Sequence, residues 1–73
     1  MRRATVRTAH DRPEVVAAAL RPDNTAEMST RVDGRTVVTT IERDSTGGLR
    51  TTVDDYVTNL AVADRLTDHD THP

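Results

Sequence analysis

The stretch that decides the fold runs from residue 26 to residue 43: Ala26-Glu27-Met28-Ser29-Thr30-Arg31-Val32-Asp33-Gly34-Arg35-Thr36-Val37-Val38-Thr39-Thr40-Ile41-Glu42-Arg43. Two β-branched runs, about Ala26 to Val32 and Arg35 to Arg43, flank Asp33-Gly34. An Asp-Gly pair tolerates positive φ and signals a tight hairpin. With those two residues as the loop, Val32 pairs with Arg35, Thr30 with Val37, Met28 with Thr39 and Ala26 with Ile41. These positions share one largely apolar face. Glu27, Ser29, Arg31, Thr36, Val38, Thr40 and Glu42 line the other, which is mostly polar. The pattern predicts an antiparallel sheet covered on one side only.

Upstream, Ala4 to Ala9 reads as a strand, with Thr5, Val6 and Thr8 β-branched. Asp11 is a suitable N-cap, and Pro13 and Glu14 suit a first helical turn. That helix runs to about Leu20, because Pro22 disfavours helical backbone at Arg21. A turn over Arg21-Pro22-Asp23-Asn24 then leads into the hairpin. Downstream, Asp44-Ser45-Thr46 opens a helix from near Thr46 to about Leu66, weakened in its first turn by Gly47 and Gly48. Leu49, Val53, Tyr56, Val57, Leu60 and Ala63 fall on one broad face of it. The expected fold is α+β, in the order strand-helix-strand-strand-helix. A three-stranded antiparallel sheet carries both helices on one face. Residues 1–66 form a single domain, and residues 67–73 read as a flexible tail.

A chain of 73 residues with no Phe, no Trp and Tyr56 as its one aromatic has little material for a core. Without cysteine no disulfide can compensate. Oligomerisation or a partner protein is the remaining source of stability, so the chain is expected to dimerise. The net charge of -2 does not fit a general binder of nucleic acid. All basic residues are Arg, the acids are mostly Asp, and Thr is abundant. This bias suits a halophile, a halophilic archaeon for example; high GC content in the genome favours the same codons. No segment reaches the ~18 apolar residues of a membrane span. Met1-Arg2-Arg3 is followed by polar residues rather than by a signal peptide's apolar run. A cytoplasmic location is expected.

Val15, Val16, Ala17, Ala18, Ala19 and Leu20 are consecutive, which gives the first helix apolar atoms all round. One sheet cannot cover both sides of such a helix. Val15, Val16, Ala18 and Ala19 are therefore candidates for a partner interface, together with Val57, Val62 and Leu66 on the last helix. No catalytic set emerges. Asp54 and Asp55 are adjacent on a helix and diverge by about 100°. Gly47-Gly48 lacks the Lys of a phosphate loop. His69 and His72 have a ligand-like spacing but fall in the tail, and His10 ends a strand with no evident role. No cofactor or metal is implied. Arg7, Arg31 and Arg50 are the best candidates for phosphate contact. Pairing with surface Asp is their plain alternative. No aromatic platform for reading bases is present.

Two stretches carry a family resemblance: Ala19-Leu20-Arg21-Pro22-Asp23-Asn24, and Leu49-Arg50-Thr51-Thr52-Val53-Asp54-Asp55-Tyr56-Val57-Thr58-Asn59-Leu60. With the element order and length, they resemble the CTAG/Pcc-type family, the small subunit of the KEOPS complex. The resemblance spans roughly residues 4 to 66. It implies a non-catalytic scaffold that dimerises, packs its helices on the catalytic threonylcarbamoyl transferase subunit and helps to hold tRNA during threonylcarbamoyladenosine formation. The acidic balance and the lack of Lys depart from that family. A stand-alone dimeric RNA-binding or regulatory module is the alternative, although the GxxG loop of a KH module is missing.

Overall fold

A computed structural model describes residues 1–23 and 25–70. Strand β1 (Arg2–Ala9) leads into helix α1 (Pro13–Leu20) and a 3₁₀ turn at Arg21–Asp23. Strands β2 (Met28–Asp33) and β3 (Thr36–Arg43) follow, then helix α2 (Thr46–Asp70). The sheet is antiparallel in the order β1-β3-β2. Both helices lie on one face: α1 packs on β2 and β3, and α2 on β3 and β1. The expected α+β architecture is the one observed.

The hairpin turns one residue later than the Asp-Gly signal predicts. Asp33 pairs with Thr36, so Gly34 and Arg35 form the loop. Among the described residues Gly34 alone has positive φ, at 62°. Positive φ confined to the first central residue is the pattern of a II′ turn, which matches the right-handed strand twist. The register shifts accordingly: Val32 faces Val37, Thr30 faces Thr39, and Met28 faces Ile41. Each residue keeps its predicted side of the sheet, because the shift moves whole pairs.

The core is built where the helices meet this face. Val16, Ala17 and Leu20 of α1, Val37 and Ile41 of β3, and Tyr56, Leu60 and Ala63 of α2 are buried against one another. Val6, Met28, Val32, Leu49 and Val53 close its edges. The one aromatic ring is anchored at the centre. Tyr56 donates or accepts at 2.6 Å to the fully buried Thr39 hydroxyl, and Thr39 in turn meets Thr30 at 2.9 Å. A buried hydroxyl without a partner is costly, and this chain satisfies all three.

The helix ends depart from expectation in two places. The N-cap of α1 is Arg12, with no side-chain capping bond, and Pro13 follows at the first position. Asp11 is instead paired with Arg35, which fastens the β1–α1 connection to the hairpin loop. At α2, Ser45 caps: its hydroxyl accepts from Gly48 N–H at 3.0 Å. The helix runs to Asp70, beyond Leu66, where the apolar pattern stops and the tail was expected. Residues 71–73 lie outside the described residues.

Candidate functional site

Six consecutive apolar residues carry no periodicity, but the helix sorts them by geometry. Val16, Ala17 and Leu20 turn inward, and Val16 is fully buried. Val16 is thus a core residue and not a partner contact. Val15 is 38% exposed, and Ala18 and Ala19 are also exposed. On α2, Val57, Val62 and Leu66 are 47%, 48% and 61% exposed. Ala19, Asn59, Val62, Ala63 and Leu66 line a shallow groove of about 240 Å³ between the two helices. Val15 lies one turn before Ala19 and extends the same apolar stripe. Ala18 lies on the outer side of α1. Val57 does not belong to this groove: it is about 140° round the helix from Val62 at 3.6 residues per turn. Val57 shares its stripe with Asp64, seven residues on, over the β1 side of the sheet. The expected interface residues therefore split into a groove set (Val15, Ala19, Val62, Leu66), an outward Ala18 and a separate Val57.

The sheet face without helices brings two of the three arginines together. Arg7 and Arg31 flank Val38 in one cross-strand row. Val38 is only 2% exposed on a face with no second layer. The long aliphatic stems of its two neighbours are its natural cover, which leaves the guanidinium groups at the surface. Arg31 lies 3.8 Å from Asp33, a loose exposed pair. Arg7 has no hydrogen bond or ion pair among the described residues. Arg3, on the same face, is held by Glu42 at 2.7 Å. Arg50 is on α2, in the other layer, so it does not join Arg7 and Arg31 in one surface.

His10 has a place that sequence reading missed. Its side chain is 6% exposed, and Nδ1 lies 2.6 Å from Asp64 Oδ1. Nε2 lies 2.7 Å from Thr8 Oγ1. A carboxylate can only accept, so Nδ1 donates, and in the neutral ring Nε2 accepts from the hydroxyl. The order hydroxyl, imidazole, carboxylate has the outline of an activated nucleophile. However, the adjoining cavity, about 460 Å³, is lined by Ala9, His10, Asp11, Arg35 and Asp64, and Thr8 is not part of its wall. What the set does in this geometry is tie β1 to α2. His10 and Asp64 are 54 residues apart, so no local spacing could have signalled the pair.

Burial raises the Tyr56 phenol above its ordinary pKa, and the Thr39 hydrogen bond offsets part of that rise. Among the described residues, no group of three His, Asp or Glu is placed to hold a metal ion. No described helix is long and apolar enough to cross a membrane. No protein-family model matches the chain, and neither does any curated protein.

Proposed function

We propose that this chain is a non-catalytic scaffold subunit of the KEOPS type, a cytoplasmic homodimer that docks on a catalytic threonylcarbamoyl transferase and assists tRNA binding. The observation that carries this reading is the groove between α1 and α2. Val62 and Leu66 are about half exposed or more beside Ala19. Small residues on one wall and branched residues on the other suit a helix laid into the groove. The element order agrees with the resemblance in the sequence. The Arg7–Arg31 row lies on the opposite face, so tRNA and transferase are served by different sides of the molecule. Contacts there are to phosphate and salt-dependent, because nothing on that face stacks on bases.

The test is co-purification with the transferase encoded in the same genome. Val62→Asp and Leu66→Asp place charges at exposed positions, so both variants stay folded by circular dichroism. Each should weaken docking by about tenfold or more, since an unpaired charge would be buried in the interface. Normal binding by both folded variants removes the groove as the docking surface. Failure of the wild-type chain to bind the transferase favours the stand-alone RNA-binding or regulatory module.

A further inference from the structure

We propose that the helix-free face of the sheet tells RNA from DNA, with Thr5, Thr40 and Ser29 taking 2′-hydroxyls of the strand whose phosphates meet Arg7 and Arg31. The inference deepens the tRNA-binding part of the reading above and rests on it. Register lays this face out in cross-strand rows. Thr5, Thr40 and Ser29 form one row, and Arg7, Val38 and Arg31 form the next. Successive rows on one face lie about 7 Å apart along the strands, and the two arginines about 10 Å apart across β3.

The hydroxyls of the first row differ from those elsewhere in the chain. Thr8, Thr30 and Thr39 spend theirs on other side chains of the helix side. Thr51, Thr52 and Thr58 donate to carbonyls one turn back in α2. The hydroxyls of Thr5, Thr40 and Ser29 have no hydrogen bond among the described residues. Thr5 and Ser29 are exposed at either side, and Thr40 is half-buried between them. Three hydroxyls, each able to donate and to accept, thus stand side by side with no second layer over them.

Charge picks out the same two rows. They hold Arg7 and Arg31 and no acid. The acids of this face lie in the rows beyond. Glu42 is held by Arg3, Glu27 accepts from Thr25, and Asp33 at the hairpin end pairs loosely with Arg31. An RNA backbone alternates an anionic phosphate with a ribose hydroxyl that both donates and accepts. It matches an arginine row beside a hydroxyl row. DNA offers the arginines the same phosphates and leaves the hydroxyls to water. Without an aromatic side chain on this face the bases go unread, so the sugar is recognised and the sequence is not.

The test compares the assembly of this chain with the transferase on a tRNA transcript and on a DNA of the same sequence, at one fixed salt concentration. Thr5→Val, Thr40→Val and Ser29→Ala remove the hydroxyls and keep residues that a strand accepts, so the triple variant should stay folded by circular dichroism. Together they should raise the Kd for tRNA by about tenfold and leave that for DNA within about twofold. Arg7→Ala should instead weaken both nucleic acids alike, as a phosphate contact does. A folded triple variant that keeps the wild-type ratio of RNA to DNA affinity overturns this inference and leaves the tRNA-binding reading standing. Loss of the transferase from the triple variant would mean that a protein covers this face, and overturns it too. If neither Arg7→Ala nor Arg31→Ala changes tRNA affinity, tRNA does not lie on this face, and the inference falls together with that part of the reading.

Discussion

Replacing Tyr56 by Phe removes one oxygen from the centre of the fold and little else. The ring is 2% exposed and keeps its packing. What is lost is the 2.6 Å bond to Thr39, while Thr39 retains Thr30 at 2.9 Å. A buried neutral hydrogen bond contributes about 1 kcal/mol net. In a domain of this size that lowers Tm by roughly 5 °C. The pH dependence is the sharper test. Burial raises the phenol's folded pKa above the ordinary 10.0. A raised pKa stabilises fully below the unfolded value and is lost as pH climbs through the folded one. Wild-type stability should thus fall above about pH 10. The chain has no Lys and no Cys, and Tyr56 is its one tyrosine, so no other lysine, thiol or phenol titrates there. Thermal melts at neutral pH and across the alkaline range read both effects. If Tyr56→Phe melts within about 1 °C of wild type and still loses stability in alkali, the hydroxyl chain does not hold the core.

His10→Ala should cost about 1–3 kcal/mol, because it removes the group that bonds both Thr8 and Asp64 and leaves them without it. In a denaturant-unfolding cycle with Asp64→Asn the two losses should not add, as expected for groups in contact. Gly47→Ala should stabilise by about 0.5 kcal/mol, since its new Cβ meets open space. Gly48→Ala should not, because its Cβ would lie 2.9 Å from the capping Ser45 Oγ and 3.3 Å from an Arg43 nitrogen; urea midpoints separate the two. In the assembled complex, Arg7→Ala and Arg31→Ala should each lower the salt slope of tRNA affinity by about one, while Arg50→Ala, in the other layer, leaves it unchanged.

The parts of the fold legible in the sequence are those written in local periodicity. Alternation in Met28–Asp33 and Thr36–Arg43 assigns every side chain to its observed face, and α1 ends at Leu20 as expected, although Arg21 before Pro22 keeps helical backbone (φ -57°, ψ -39°) and the chain goes on as a 3₁₀ turn. The exact turn was not legible, because Asp33-Gly34 and Gly34-Arg35 both offer a glycine for positive φ. The II′ geometry at Gly34 decides between them. Asp11 looked like a cap and became an ion-pair partner because Arg35, remote in sequence, arrives beside it. The apolar run from Val15 to Leu20 showed that α1 had surplus surface. Only packing against β3 and α2 could say that Val16 is inside and Val15, Ala18 and Ala19 are not. The Thr8–His10–Asp64 chain was invisible for the same reason: it joins the first strand to the last helix.

The strand order sets a sequence of events for the growing chain. β2 and β3 can close their two-residue loop as soon as both exist, at small entropic cost. β1 is made first, yet its seat is on β3, from Thr36 to Arg43. Until then it waits unpaired while α1 and the hairpin are synthesised. The hairpin is thus the natural nucleus, and the docking of β1 the slow, long-range step. During that interval the nascent chain carries an unprotected segment with arginines at Arg2, Arg3 and Arg7. Their mutual repulsion discourages premature association of neighbouring chains on one message.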